Sequence, residues 1–110
     1  MNIDVRLSLN VTQKYILANV ENPSAQLLWG SPSIEWHKDI KKQMQDMGYT
    51  VLFVHGGGKI CVLPEAKMIY VWGKSSAFGV APFETVQKVL ASEFPAYAVV
   101  QQEPIESSSL

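Results

Sequence analysis

Three features of the sequence, far apart along the chain, have the chemistry that a phosphate site needs. Lys14 stands in a largely apolar run, and lysine is rarely buried unless it faces an anion or extends to solvent. His37 falls on the inward stripe of a predicted helix, near its N-terminal end. The small-residue loop 73–81 precedes a second predicted helix, and successive amides in such a loop can bind an anion. One imidazole, one ammonium and one group of amides together suggest phosphoryl transfer.

Each of these features also has an ordinary structural interpretation. A histidine on the inward stripe of a helix is more often a hydrogen-bonded core residue than a catalyst. Lys14 can reach solvent from the end of a strand by extending its methylene stem. The combination, rather than any single residue, is what favours a site.

A glycine run suggests two enzyme classes that the rest of the chain excludes. His55-Gly56-Gly57-Gly58 matches the oxyanion motif of lipases and esterases, but the sequence has no G-x-S-x-G nucleophile elbow. The glycine spacing of a P-loop is also missing. We interpret the glycines as a hairpin turn between strands at 49–54 and 59–63, with Lys59 at its exit as a candidate anion contact.

Metal and disulfide chemistry are not indicated by the sequence. His37 and His55 lie in different predicted elements, and no carboxylates cluster at ligand spacing. Cys61 is the single cysteine and lies in an apolar run, which predicts a buried, inert thiol and excludes an intramolecular disulfide. We therefore expect no metal site.

The composition describes one domain with little net charge. The chain has 110 residues, 47% of them hydrophobic, and a formal net charge of −1. Such a balance creates no overall field for nucleic acid or an anionic membrane. No run approaches the about 18 apolar residues of a membrane span, and Asp4 and Arg6 interrupt the first apolar stretch. We expect no signal peptide and a cytoplasmic location.

The hydrophobic pattern predicts an α/β fold, with a mixed sheet of about six strands and two helices packed on it. Alternation predicts a strand over 2–9, and apolar residues on both faces predict a buried strand over 11–20. Shorter strands are expected at 26–29, 49–54, 59–63, 67–72 and 97–100. Residues 1–100 form the predicted domain, and the polar tail 101–110 is expected to be disordered.

Start and stop signals predict the two helices. Ser31-Pro32 is typical of an N-cap followed by proline at the first helical position, and Gly48 is a stop signal after Met47. The second helix is expected to begin at Pro82 and to end before Pro95. The inward stripe of the first helix is expected to contain Ile34, His37, Ile40, Met44 and Met47, with Trp36 beside it.

Five segments of the chain resemble the protein histidine phosphatases, a family that includes the insect janus and ocnus proteins. The segments are 14–17, 36–40, 56–60, 71–79 and 94–97. No single segment is specific, but five in the family's order cover most of residues 11–100. The resemblance implies a compact α/β monomer without a cofactor, which hydrolyses phosphohistidine or phospholysine in proteins.

The resemblance also implies roles for individual residues. The family's catalytic histidine falls on His37, its phosphate-contacting lysine on Lys14, and its basic residue after the glycines on Lys59. Its phosphate-binding loop falls on Ser75, Ser76 and Ala77.

The chain departs from the family pattern at three positions. Many relatives have Arg-Gly where this chain has Trp29-Gly30, tyrosine at the position of Lys74, and proline at that of Val80. An arginine near the pocket would be a bidentate phosphate donor, and Lys74 is a candidate to replace its charge.

These residues allow two catalytic mechanisms and one alternative without catalysis. Neutral His37 can act as general base on the attacking water, or attack phosphorus itself and become transiently phosphorylated. The amides of 75–77 and the Lys14 ammonium would hold the phosphoryl group. The alternative is a non-catalytic module that binds phosphorylated protein through the same pocket. The expected partner is in every case a phosphorylated protein, not nucleic acid or a membrane.

Overall fold

A computed structural model describes residues 2–21 and 24–104 of the chain. The elements are β1 (Asn2–Arg6), β2 (Thr12–Glu21), β3 (Ala25–Ser31), α1 (His37–Asp46), β4 (Thr50–Leu63), β5 (Met68–Trp72), α2 (Phe83–Glu93) and β6 (Ala98–Val100). The strands form one six-stranded sheet in the order β1-β3-β2-β4-β5-β6. The outer pairs β1–β3 and β5–β6 are parallel and the inner pairs are antiparallel. The predicted mixed α/β fold is confirmed.

The central strand β2 is buried on both faces, as its sequence predicts. Tyr15 and Leu17 join the apolar cluster that contains the buried residues of α2. Ile16, Ala18 and Val20 point the other way and join the cluster under α1. Because successive side chains of a strand alternate between faces, Lys14 lies on the α1 face. We call these two sides of the sheet the α1 face and the α2 face.

The predicted glycine hairpin is wrong. Residues 56–58 lie buried inside β4, which runs without a turn for 14 residues and pairs with β2. A Cβ atom on Gly57 would lie 2.9 Å from His37 Cδ2, and one on Gly58 would lie 2.6 Å from Trp72 O. The glycines are therefore required by the close approach of neighbouring chain segments, which is the second common meaning of glycine within a strand.

The pairing of β4 with β2 contains two irregularities. The register shifts between Leu17 and Ala18 and again between Asn19 and Val20, so the first half of β4 carries β-bulges. On its other side β4 pairs with β5 only over 59–63. Among the described residues, no strand lies along the outer edge of 50–55.

The first helix begins five residues later than predicted. Ser31 is the last residue of β3 and pairs with Lys14, so it cannot cap a helix, and α1 starts at His37. The later start also corrects the predicted stripe. His37, Ile40 and Met44 are buried and Ile34 packs beside them, whereas Trp36 and Met47 flank the helix and are 52% and 57% exposed.

The remaining elements follow the predictions closely. Strand β1 is shorter than predicted and β3 longer, α2 begins at Phe83 after Pro82, and Cys61 is buried. Residues 101–104 form no helix or strand, and the rest of the predicted tail lies outside the described residues. Within the described ranges, no helix is both long and apolar enough to cross a membrane.

Candidate functional site

His37 is the first residue of α1 and is buried, with 6% of its surface exposed. Its Nε2 lies 2.9 Å from the carbonyl oxygen of Gly58. Because a carbonyl can only accept, Nε2 must carry the proton, and a neutral His37 therefore has an unprotonated Nδ1. Among the described residues, no side-chain nitrogen or oxygen is both sealed from solvent and without a hydrogen-bond partner. His37 Nδ1 makes no hydrogen bond to the described residues. It is therefore not sealed, and solvent can reach it.

The surroundings of His37 favour its neutral form. Burial lowers the pKa of the imidazole below its usual value, and the positive charges of Lys14 and Lys59 lower it further. The hydrogen bond to Gly58 acts in the opposite direction and does not outweigh them. The position at the N-terminus of α1 also disfavours an imidazolium, because the helix dipole is positive there. At neutral pH His37 is therefore a free base.

Lys14 and Lys59 are directly opposite each other on β2 and β4. Like charges in such a pair destabilise a sheet, and among the described residues neither lysine forms an ion pair with a carboxylate. The Lys14 ammonium donates to the carbonyl oxygen of Glu35 and lies 5.4 Å from the ring centroid of Trp36. These contacts hold it at the N-terminal end of α1. Two uncompensated cations on one sheet face favour an anion between or above them.

The loop 73–81 is organised by Ser75. The Ser75 side chain is buried, and its Oγ accepts hydrogen bonds from the amides of Ala77 (3.2 Å) and Phe78 (3.0 Å). The Ser75 amide donates to Gly79 O, which also accepts from the Gly57 amide and so ties the loop to β4. Of the three amides of the predicted phosphate loop, those of Ser75 and Ala77 are thus already bonded, and that of Ser76 takes part in neither bond.

Two cavities on the α1 face divide the predicted site residues between them. His37, Ser76 and Ala77 line a cavity of about 240 Å³, which we call the His37 cavity. Lys14 and Lys59 line one of about 190 Å³, together with residues of β2 and of the segment before α1. Ser75 lines neither cavity, and its side chain stabilises the loop through the hydrogen bonds from the amides of Ala77 and Phe78. The structure therefore brings His37 together with two of the three loop residues, and the lysines act on it through their charge.

Sequence reasoning missed three groups at this site. Trp36 and Lys38 line the His37 cavity, although sequence reasoning assigned neither residue a role in the site. The Gly58 carbonyl, which selects the tautomer of His37, was hidden by the assumption of a hairpin. Treating the buried glycine run as a close approach of chains would have revealed it.

The departures from the family pattern lie outside both cavities. Trp29 is a core residue under α1, whose Nε1 donates to Gln43 Oε1 at 2.8 Å and whose ring meets Tyr49 edge-on. Lys74 is exposed and lines neither cavity. Neither residue lines the His37 cavity or the cavity of the two lysines, so the structure gives no support to Lys74 as a replacement for the arginine.

The second histidine is not part of this arrangement. His55 Nε2 lies 3.0 Å from Asn19 Oδ1, and its ring contacts Phe53 edge-on. In the part of the chain that the structure describes, no group of three or more His, Cys, Asp or Glu side chains is placed to hold a metal ion.

Comparison with known sequences identifies the family of this α/β domain. The sequence model of the Janus/Ocnus family matches residues 3–98, and the chain belongs to that family. The sex-regulated protein janus-A of Drosophila melanogaster is 30% identical over 93 residues, which cover 78% of this chain and 68% of that protein. Its counterpart in Drosophila yakuba is 31% identical over the same length and coverage. The names of these relatives describe regulation by sex and no reaction.

Proposed function

We propose that the chain is a metal-independent protein phosphatase that hydrolyses phosphohistidine, with His37 as the catalytic residue. The observation that carries the proposal is the hydrogen bond from His37 Nε2 to Gly58 O. It supports catalysis because it leaves Nδ1 as an accessible base beside a cavity whose other wall is Ser76 and Ala77. A histidine with a purely structural role would be expected to have both ring nitrogens hydrogen-bonded within the protein.

In the first form of the mechanism His37 is a general base. Nδ1 accepts a proton from water, the water oxygen attacks phosphorus, and the P–N bond of the substrate breaks. The leaving imidazole nitrogen takes up the proton that Nδ1 accepted, so His37 returns to its neutral form and the products are inorganic phosphate and unmodified histidine. General-base assistance of this kind contributes about 10²–10⁴ in rate.

In the second form His37 is a nucleophile. Nδ1 attacks phosphorus directly, and the P–N bond of the substrate is exchanged for a P–N bond on His37, which water then hydrolyses. Both forms use the lone pair of Nδ1. In both, the proton stays on Nε2 and remains hydrogen-bonded to Gly58 O. Rapid quenching in alkali during a single turnover separates them, since only the second form leaves labelled phosphate on the protein.

The charges around His37 fit the needs of phosphoryl transfer. Its transition state spreads negative charge over the phosphoryl oxygens, and catalysis depends mainly on positioning and electrostatic stabilisation. Lys14 and Lys59 would supply two positive charges, and an anion near them would relieve their mutual repulsion. The amides at the start of α1 carry no side-chain cap and can donate to the same anion, as can that of Ser76.

The substrate we propose is a phosphorylated side chain of another protein. The His37 cavity, about 240 Å³ in volume, has room for one phosphorylated side chain, and the exposed Trp36 at its margin can contact the neighbouring peptide. Phospholysine has the same P–N bond and is the second substrate to test. In this proposal the chain acts as a monomer and uses no cofactor.

The test is turnover of a phosphohistidine peptide by the purified chain in the presence of EDTA. We expect the wild-type chain to hydrolyse the peptide well above the spontaneous rate and His37→Ala to lose this catalysed rate. Lys88→Gln is the control: Lys88 is exposed on α2, and the variant should turn over like wild type. A chain that binds the phosphopeptide in the His37 cavity but never turns it over is the non-catalytic module instead. Activity that depends on an added divalent ion contradicts the metal-independent mechanism.

A further inference from the structure

A third cavity lies on the opposite side of the sheet, behind the loop 73–81. Its volume is about 320 Å³, and it shares no lining residue with the two cavities on the α1 face. The walls come from β5, both ends of the loop and the start of α2, among them Val71, Ala81 and Phe83. We call it the Tyr15 cavity, because Tyr15 of the central strand also lines it.

The Tyr15 hydroxyl has no hydrogen-bond partner among residues 2–21 and 24–104. Only 2% of the Tyr15 surface is exposed, and the hydroxyl makes no hydrogen bond to the residues that the structure describes. Every side-chain oxygen that is sealed from solvent in the described residues has a hydrogen-bond partner. Because the Tyr15 hydroxyl has none, it is not sealed, and it opens into the cavity that Tyr15 lines. Burial also raises the pKa of Tyr15, so this group remains a neutral hydrogen-bond donor.

We propose that the Tyr15 cavity binds a small neutral ligand with an apolar body and one hydrogen-bond acceptor directed at the Tyr15 hydroxyl. Its volume corresponds to about ten water molecules at ~30 Å³ each, which fits one aromatic ring with a short polar substituent. The size lies at the lower end of small-molecule pockets. The lining combines apolar side chains with polar groups, among them the Tyr15 hydroxyl and Gln101.

The lining residues argue against a charged ligand. No Lys, Arg, His, Asp or Glu among the described residues lines the Tyr15 cavity. An ion there would lose its hydration without gaining a counter-charge, which is strongly unfavourable. Lys14, the residue before Tyr15 on β2, lies on the opposite α1 face. The alternation of one strand thus separates an anion site from a site for neutral ligands.

A pair of probes with the same ring tests this assignment. We would titrate the full chain with benzamide, whose carbonyl can accept from Tyr15, and with benzoate, which has the same ring but a charge. Amide-resolved NMR should show benzamide shifting the signals of Gly73, Val80, Ala81 and Phe83. Benzoate should leave these signals unchanged.

The role of the hydroxyl is tested by Tyr15→Phe, with Tyr70→Phe on the α1 face of β5 as the matched control. Tyr15→Phe should weaken benzamide binding about fivefold, the amount expected for one neutral hydrogen bond. Tyr70→Phe should leave it unchanged. Toluene, which lacks an acceptor, should bind wild type and Tyr15→Phe equally, and this shows that the cavity survives the substitution.

Three results would overturn the proposal. They are the absence of any shift with millimolar benzamide, shifts confined to the His37 cavity, and undiminished benzamide binding by Tyr15→Phe.

Discussion

The two faces of the sheet are each covered by one helix, but they differ in what the helix leaves open. On the α2 face, Val86, Val89 and Leu90 pack into one apolar cluster with the inward side chains of the strands. On the α1 face, Ile40 and Met44 pack into the second apolar cluster, and two lysines without ion-pair partners in the described chain lie opposite each other on the neighbouring strands. The comparison teaches that the candidate site arises at the margin of a core, where a helix start leaves polar groups uncovered.

The polar residues of the two faces also differ in how they are satisfied. His37 is buried but has one ring nitrogen bonded to Gly58 and the other accessible, and two cations act on it. Tyr15 is also buried, but no charged side chain among the described residues lines its cavity. Substitutions on the α1 face should therefore change chemistry, and substitutions on the α2 face should change stability.

The largest effect should come from His37→Ala. We expect kcat to fall by at least 100-fold, because the general base or nucleophile is removed. The fold should persist, with a stability loss of about 1 kcal/mol for the bond to Gly58. Steady-state kinetics and thermal unfolding measure the two quantities. Retention of more than a tenth of the wild-type kcat would show that another group performs the chemistry.

Leu90→Ala is the counterpart on the α2 face. Leu90 is fully buried, and truncation of such a leucine costs about 2–5 kcal/mol through lost burial and a residual cavity. Chemical denaturation should report this loss, while kcat of the folded fraction should stay near the wild-type value. A variant with full stability and reduced kcat would break the proposed division between the faces.

Lys59→Gln should change the titration of His37. Lys59 lowers the pKa of His37, so its neutralisation should raise that pKa toward the ordinary value near 6.5. The acid limb of kcat/KM should then move to higher pH, and NMR titration of the ring should show the same shift. Lys88→Gln on α2 is the matched control. Equal His37 pKa values in the two variants would contradict a charge effect from the sheet.

The same depressed pKa has a consequence for stability. The folded chain binds fewer protons at His37 than the unfolded chain between the lowered pKa and about 6.5, so stability should fall as the pH drops through this window. His37→Ala should lose that part of the pH dependence. An unchanged profile of unfolding free energy against pH would mean that His37 titrates normally.

The smallest effect should come from His55→Ala. His55 contacts Asn19 and Phe53 and lines neither cavity of the α1 face. We expect kcat to change by less than about twofold and stability by about 1 kcal/mol for one lost hydrogen bond. Steady-state assays of His55→Ala and His37→Ala under the same conditions compare the two kcat values. A hundredfold loss of kcat would require a different pair of catalytic groups.

The two faces of β2 and their burial were predictable because they follow from an alternation within one short segment. The same alternation puts Lys14 on the face of Ile16 and Ala18. His37 was correctly placed on the inward side of a helix near its start. The local periodicity of the sequence was thus sufficient to predict which way these side chains point.

What local pattern could not reveal depends on contacts between distant segments. Ser31-Pro32 has the chemistry of a helix start, but Ser31 pairs with Lys14 and is the last residue of β3. The glycines of β4 suit a turn equally well until Trp72 and His37 are known to press against them. The bonded amides of Ser75 and Ala77 likewise follow from the folded loop and not from its small residues.

The two bulges of β4 have a consequence for how the protein behaves at high concentration. The outer edge of 50–55 exposes Leu52 and Phe53, and an unpaired apolar edge is a template on which further copies can add and precipitate. Bulges interrupt the ladder and increase the local twist, so that a straight strand from another molecule cannot align along the whole edge. The irregular register thus opposes edge-to-edge association of copies along the stretch that exposes these two apolar side chains.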